Sequence, residues 1–153
     1  MEKRVLVSAC LLGVCCRYDG NSRPCEDVCR EAAKRGWIPV CPEILGGLAT
    51  PRIPAEQQGA RVVNRMGTDV TKAYQRGAEE TLRLAKLYGA SYAVLKERSP
   101  SCGTGSIYDG SFSENLTKGM GTAAMVLEHA GIPVYGESQL QQLLEILDGG
   151  MEK

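Results

Sequence analysis

Seven cysteines stand in a chain of 153 residues that has a single histidine. Cys10, Cys15, Cys16, Cys25, Cys29 and Cys41 crowd the first third, and Cys102 follows alone. Thiolates are soft metal ligands and also nucleophiles, so a cluster of them points to metal binding or thiol chemistry. An odd count fits a disulfide framework poorly, and the N-terminus shows no long apolar stretch with a cleavage site. The expected compartment is therefore the cytoplasm, where thiols stay reduced. Paired structural-zinc spacing such as C-x2-C is absent, since Cys25 and Cys29 are three residues apart in between.

The elements that must position these thiols alternate between strand and helix. Short apolar runs at Arg4–Ser8, 37–40, 92–96 and 132–135 read as buried strands. Helices are expected near 25–35, 70–88, 118–130 and 138–148, bounded by Gly36, Gly89 and Gly131. Arg61–Asn64 reads as a small extra strand, and the Gly- and Pro-rich stretches 41–60 and 98–117 as loops. The implied fold class is α/β: a single domain over 1–153, in three layers, with a Rossmann-like, mainly parallel sheet and helices on both faces.

Ligands of such sheets bind beyond the carboxyl ends of the strands. That rule sorts the cysteines. Cys10 follows the first strand, Cys41 the second and Cys102 the third, so adjacent parallel strands would bring these three thiols to one edge. Three thiolates suit an iron–sulfur cluster with one iron left open as a Lewis acid. Zinc, metal-free thiol catalysis and buried structural cysteines stay open as alternatives, and Cys16 is an alternative ligand or resolving thiol. Polar groups accompany the three exits: Ser8, Asp19 and Asn21 near Cys10, Glu43 and Arg52 after Cys41, Ser99 and Ser101 before Cys102. Glu43 reads equally as a proton-moving carboxylate and as a helix or turn cap. Tyr74 and Tyr88 read as packing residues, and His129 as a core or surface residue.

Composition narrows the function classes. Lys and Arg number 18 against 18 Asp and Glu, which argues against general nucleic-acid binding. No apolar run approaches the ~20 residues of a membrane helix. The oligomeric state is not specified by any of these features.

The segments around the thiols resemble a known family. Ser8-Ala9-Cys10-Leu11-Leu12-Gly13, Cys16-Arg17-Tyr18-Asp19-Gly20, Cys41-Pro42-Glu43, Gly46-Gly47-Leu48, Pro51-Arg52 and Ser99-Pro100-Ser101-Cys102-Gly103 are similar to motifs of the thiouracil desulfidase family. The likeness runs from about Val5 to Glu137. It implies a [4Fe–4S] cluster held by only three cysteines, Cys10, Cys41 and Cys102, whose free iron takes the sulfur of a thionated pyrimidine. It also implies Glu43 as acid/base, Ser101 as a positioning or relay group, and Ser8, Asp19, Asn21, Arg52 and Ser99 as candidates for substrate binding. The implied reaction is non-redox and hydrolytic, converting thiouracil to uracil and hydrosulfide. A metal- or cluster-binding module without turnover and a metal-free thiol enzyme are the competing readings.

Overall fold

The computed structural model describes residues 3–149, so residues 1, 2 and 150–153 of the expected unit lie outside the described residues. In chain order the first elements are β1 (Arg4–Ser8), α1 (Glu26–Arg35), β2 (Ile38–Val40) and α2 (Pro42–Leu45). β3 (Ala55–Gln58), β4 (Arg61–Asn64), α3 (Thr71–Tyr88) and β5 (Ala90–Leu95) follow. The last are β6 (Ser106–Tyr108), β7 (Leu116–Lys118), α4 (Thr122–His129), β8 (Val134–Gly136) and α5 (Leu140–Leu147).

Four strands form one parallel sheet in the order β2-β1-β5-β8. Alternation along β1 decides which layer each side chain joins. Val5 and Val7, with Tyr92 and Val94 of β5, pack against α1 and α5 through Val28, Ala32, Leu140 and Leu143. Leu6, with Ala93 and Leu95, packs against α3 and α4 through Ala85, Ala124 and Leu127. The result is the three-layer α/β arrangement expected from the short apolar runs. β1 is wholly buried from Val5 to Ser8 because both of its faces are covered.

The two stretches expected as loops hold more structure than the pattern suggests. Within 41–60 lie α2, a single turn with Pro42 at its start, and β3, a polar strand paired antiparallel with β4. Within 98–117 lie β6 and the start of β7, a second antiparallel hairpin. A four-residue helix shows no helical period, and Ala-Glu-Gln-Gln has no apolar alternation, so neither is visible to periodicity. α4 starts at Thr122 rather than near 118, because β7 runs to Lys118 and Gly121 is still extended at the helix entrance.

One helix crossing is unusually close. A Cβ placed on Gly46 would overlap the carbonyl oxygen of Ala73, and one on Gly77 would overlap that of Pro42. The backbones of α2 and α3 therefore touch, which only glycine permits at those two positions. Gly77→Ala sets two effects against each other. Alanine gains about 1 kcal/mol of helix propensity, whereas overpacking against a backbone carbonyl costs about 1–3 kcal/mol or more. We expect a net loss in denaturant-unfolding stability; an alanine variant as stable as the parent would disprove the close contact.

Candidate active site

Because β2, β1 and β5 are neighbours, their carboxyl ends lie side by side, and each delivers a thiol. Cys10 sits in the 3-10 turn Ala9–Leu12 directly after β1. Cys41 follows β2 and caps α2. Cys102 comes back under the end of β5 through a turn in which the Gly103 N–H bonds the Ser99 carbonyl at 2.9 Å. Gly121 makes that turn possible, since a Cβ there would overlap the Ser101 backbone. Cys10, Cys16, Cys41 and Cys102 all wall one cavity of about 550 Å³ at the end of the sheet. All seven cysteines are free thiols. β8, the fourth strand, brings no thiol.

Burial and mutual contact raise the Cys16, Cys41 and Cys102 thiols. The Cys102 thiol is pushed up to about 12 by burial, against the opposing hydrogen bonds of the Ser8 and Ser101 hydroxyls. Cys16 stands in hydrogen-bonding contact with both Cys10 and Cys41. That contact, with burial, raises the Cys41 thiol well above the ordinary range. Cys16 itself is raised, chiefly by Cys10. Among the described residues, no three His, Cys, Asp or Glu side chains converge tightly enough to hold a single metal ion. Cys10, Cys16, Cys41 and Cys102 give the cavity an all-sulfur set of soft donors, which suits an iron–sulfur cluster.

Beside the thiols lies a hydrogen-bonded carboxylate. Glu43 Oε1 accepts from Arg52 Nε at 2.9 Å, and Glu43 Oε2 accepts from the Ser101 hydroxyl at 2.8 Å. The Ser99 hydroxyl stands at 3.5 Å from the same Oε2. Ser101 Oγ is also 3.6 Å from Cys102 Sγ, so its one proton faces two acceptors, a carboxylate and a sulfur. Ser101 is fully buried, and the Glu43 side chain is only 12% exposed, so water screens this network little.

The other expected residues divide by what already occupies them. Arg52 lines the cavity, but its remaining donors reach Ala49 O, Thr50 Oγ1 and Cys16 O, so it fastens the Cys16 loop to Glu43. Ser99 accepts the backbone N–H groups of Ser101 and Cys102, each at 3.1 Å, and shapes the thiol-bearing turn. Ser8 accepts the Lys96 N–H at 2.8 Å and donates to Cys102 Sγ at 3.5 Å. Asp19 and Asn21 do not line the cavity. The Asp19 carboxylate instead accepts the Asn21 N–H at 3.0 Å, a local turn bond that also holds its pKa below the usual value.

Tyr74 is a residue the periodicity assigned to packing alone. It is buried on α3, lines the cavity and stands beside the Glu43 carboxylate. Burial first, and the Glu43 charge second, push its phenol far above the ordinary value, so it stays a donor. Nothing in the sequence separates such a tyrosine from a core residue at the same helical spacing.

An α/β sheet that opens a sulfur-walled cavity at its strand ends, next to a buried carboxylate–hydroxyl pair, defines a protein built for a thiolate-bound cofactor and a small ligand. The chain belongs to the 2-thiouracil desulfurase family, whose pattern matches residues 5–139. It is 42% identical over 150 residues to the uncharacterized protein YbbK of Bacillus subtilis (strain 168), covering 92% of this chain and 99% of that protein. A solved structure described as the [4Fe–4S]-dependent thiouracil desulfidase TudS superposes with a TM-score of 0.91 at 44% identity. That match covers 96% of this chain and 99% of the other.

The thiol environments make a direct prediction for the reduced, iron-free chain. A raised pKa leaves a thiol neutral at pH 8, and the neutral form reacts poorly. Iodoacetamide at that pH should modify exposed Cys15 at least about tenfold faster than Cys102. Equal rates by peptide mass mapping would show that Cys102 is not held as described.

Proposed function

We propose that this chain is a non-redox desulfidase that converts thiouracil and water to uracil and hydrosulfide, with Cys10, Cys41 and Cys102 holding a [4Fe–4S] cluster. The observation that carries the reading is the arrival of one thiol from each of three adjacent strand ends, beside the Glu43–Ser101 pair, in one cavity. Family membership and the likeness to a [4Fe–4S]-dependent thiouracil desulfidase support it. When bound, the cluster supplies a soft Lewis acid suited to sulfur over oxygen.

The protein groups do the proton work. Arg52 holds Oε1 and the Ser101 hydroxyl holds Oε2, so the Glu43 carboxylate is oriented with Oε2 on the Ser101 side, where its remaining lone pair takes a proton from an attacking water. Ser101, between Oε2 and Cys102 Sγ, can pass a proton from the carboxylate side to the sulfur side, where the departing sulfide needs one. Cys16, packed against Cys10 and Cys41, is a supporting thiol rather than a ligand in this reading. The cavity walls off bulk water around a small planar substrate, and no helix of the described residues is long and apolar enough to cross a membrane. Seven cysteines present as thiols support a reducing, cytoplasmic setting, and the single parallel sheet whose four strands run from Arg4 to Gly136 supports one domain.

Two measurements check this. After anaerobic reconstitution with iron and sulfide, we expect about four irons per chain. That count should persist in Cys16→Ser and collapse in Cys102→Ala. A full iron count in Cys102→Ala would remove that ligand, and no iron in the parent would end the cluster reading. Loss of the thiocarbonyl absorbance of thiouracil then reports turnover. Glu43→Gln should keep its iron and lose turnover by about 10²–10⁴-fold, the usual worth of a positioned acid/base. Undiminished turnover would exclude Glu43 from the chemistry.

A further inference from the structure

Phe112, the single phenylalanine of the chain, stands in a backbone conformation that bulky residues avoid. Its φ is 56°, in the left-handed region. The turn between β6 and β7 also contains Gly110 at φ 94°, so left-handed geometry alone does not call for a bulky residue there. Such an outlier persists only when its surroundings hold it, and these outliers gather at ligand clamps.

What holds it is a buried carboxylate. Glu56 of β3 is only 9% exposed, and its Oε1 accepts the N–H of Gly110 at 2.9 Å and that of Phe112 at 3.1 Å. The Gln58 amide donates to the Gly110 carbonyl at 2.9 Å, so the first hairpin grips the tip of the second. Charge-assisted bonds of this kind are about twice as strong as neutral ones. They offset a strained φ that would otherwise relax.

The strain has one visible product, an aromatic ring in the cavity wall. Phe112 is half-buried and lines the same cavity as the thiols and Glu43. The Arg65 guanidinium lies 5.6 Å from its ring centroid, and Arg65 also lines the cavity. A cation over one face leaves the other face as a stacking surface. Tyr18, Tyr74 and Tyr108 line the cavity as well, but each carries a phenolic hydroxyl, so Phe112 is the cavity aromatic whose ring is apolar throughout.

We propose that Phe112 is the stacking wall that sets the plane of the substrate ring, with Glu56 as the residue that positions it. This rests on the desulfidase reading for the identity of the ring. Stacking on a π-face tolerates any flat heteroaromatic and rejects puckered rings of the same size. Phe112 thus determines specificity for planarity, while Glu43 and the thiols address the C=S group.

The test uses the reconstituted protein, with thiouracil for turnover and uracil, which is not consumed, for equilibrium dialysis. Phe112→Ala and Phe112→Gly should each raise the KM for thiouracil and the Kd for uracil about tenfold. The kcat should stay within about twofold and the iron content unchanged. Phe112→Tyr should restore both constants. Glycine adopts φ 56° without strain and alanine does not, so Phe112→Gly should unfold at no lower temperature than Phe112→Ala. A KM and Kd within twofold of the parent in Phe112→Ala would overturn the proposal, as would a Phe112→Tyr variant as weak as Phe112→Ala. A parent protein that binds uracil yet leaves thiouracil intact would sink the desulfidase reading, and uracil dialysis alone would then decide the stacking wall.

Discussion

The backbones of α2 and α3 meet at Gly46 and Gly77, and much of the site hangs on that contact. α2 is one turn long and has too few internal hydrogen bonds to fix its own direction. Pressed against the 18-residue α3, it acquires one. Its two chemical residues then fall into place: Cys41 at the cap faces Cys16, and Glu43 in the first turn meets Tyr74 from the helix it rests on. Larger residues at either glycine would lift the turn away and move a thiol and a carboxylate together.

From the other side of the sheet edge, the Ser99–Gly103 turn supplies the complementary half. Its serines serve two purposes. Ser99 holds the turn through backbone N–H groups, and Ser101 links the carboxylate to the sulfur. Arg52 closes the arrangement by tying Glu43 to the carbonyl of Cys16. A guanidinium with its donors so committed acts as a brace, and the shorter reach and single head of lysine could not reproduce it.

How much of this was legible in the sequence follows from the kind of interaction involved. The main strands and the exits bearing Cys10, Cys41 and Cys102 could be read because buried strands have apolar signatures and strand ends have fixed meaning in parallel sheets. Adjacency of β2, β1 and β5 follows from the sheet order, which no local pattern encodes. Asp19 and Asn21 looked like site residues by proximity to Cys10, yet the Asp19 carboxylate and the Asn21 N–H close a local turn on each other. Tyr74 was hidden in the opposite way, since a phenol at core spacing reveals its partner only when α2 is laid on α3. Phe112 was invisible because its role depends on a dihedral angle.

The two hairpins join the body of the protein differently from the four sheet strands. Neither shares a ladder with the parallel sheet. Gln57 reaches the carbonyls of Pro100 and Met120, and Glu56 and Gln58 reach the tip of the second hairpin. Local opening has its own free energy, below that of global unfolding wherever few buried apolar contacts are broken. The hairpins are held by more than these side-chain bonds, since Val62 and Val63 of the first and Ile107 of the second are buried, and the Val70 N–H bonds the Val62 carbonyl. The wall of the site thus rests on polar side chains and on apolar burial outside the parallel ladder, so substitutions at the hairpins act on the cavity without touching the strand pairs that carry the thiols.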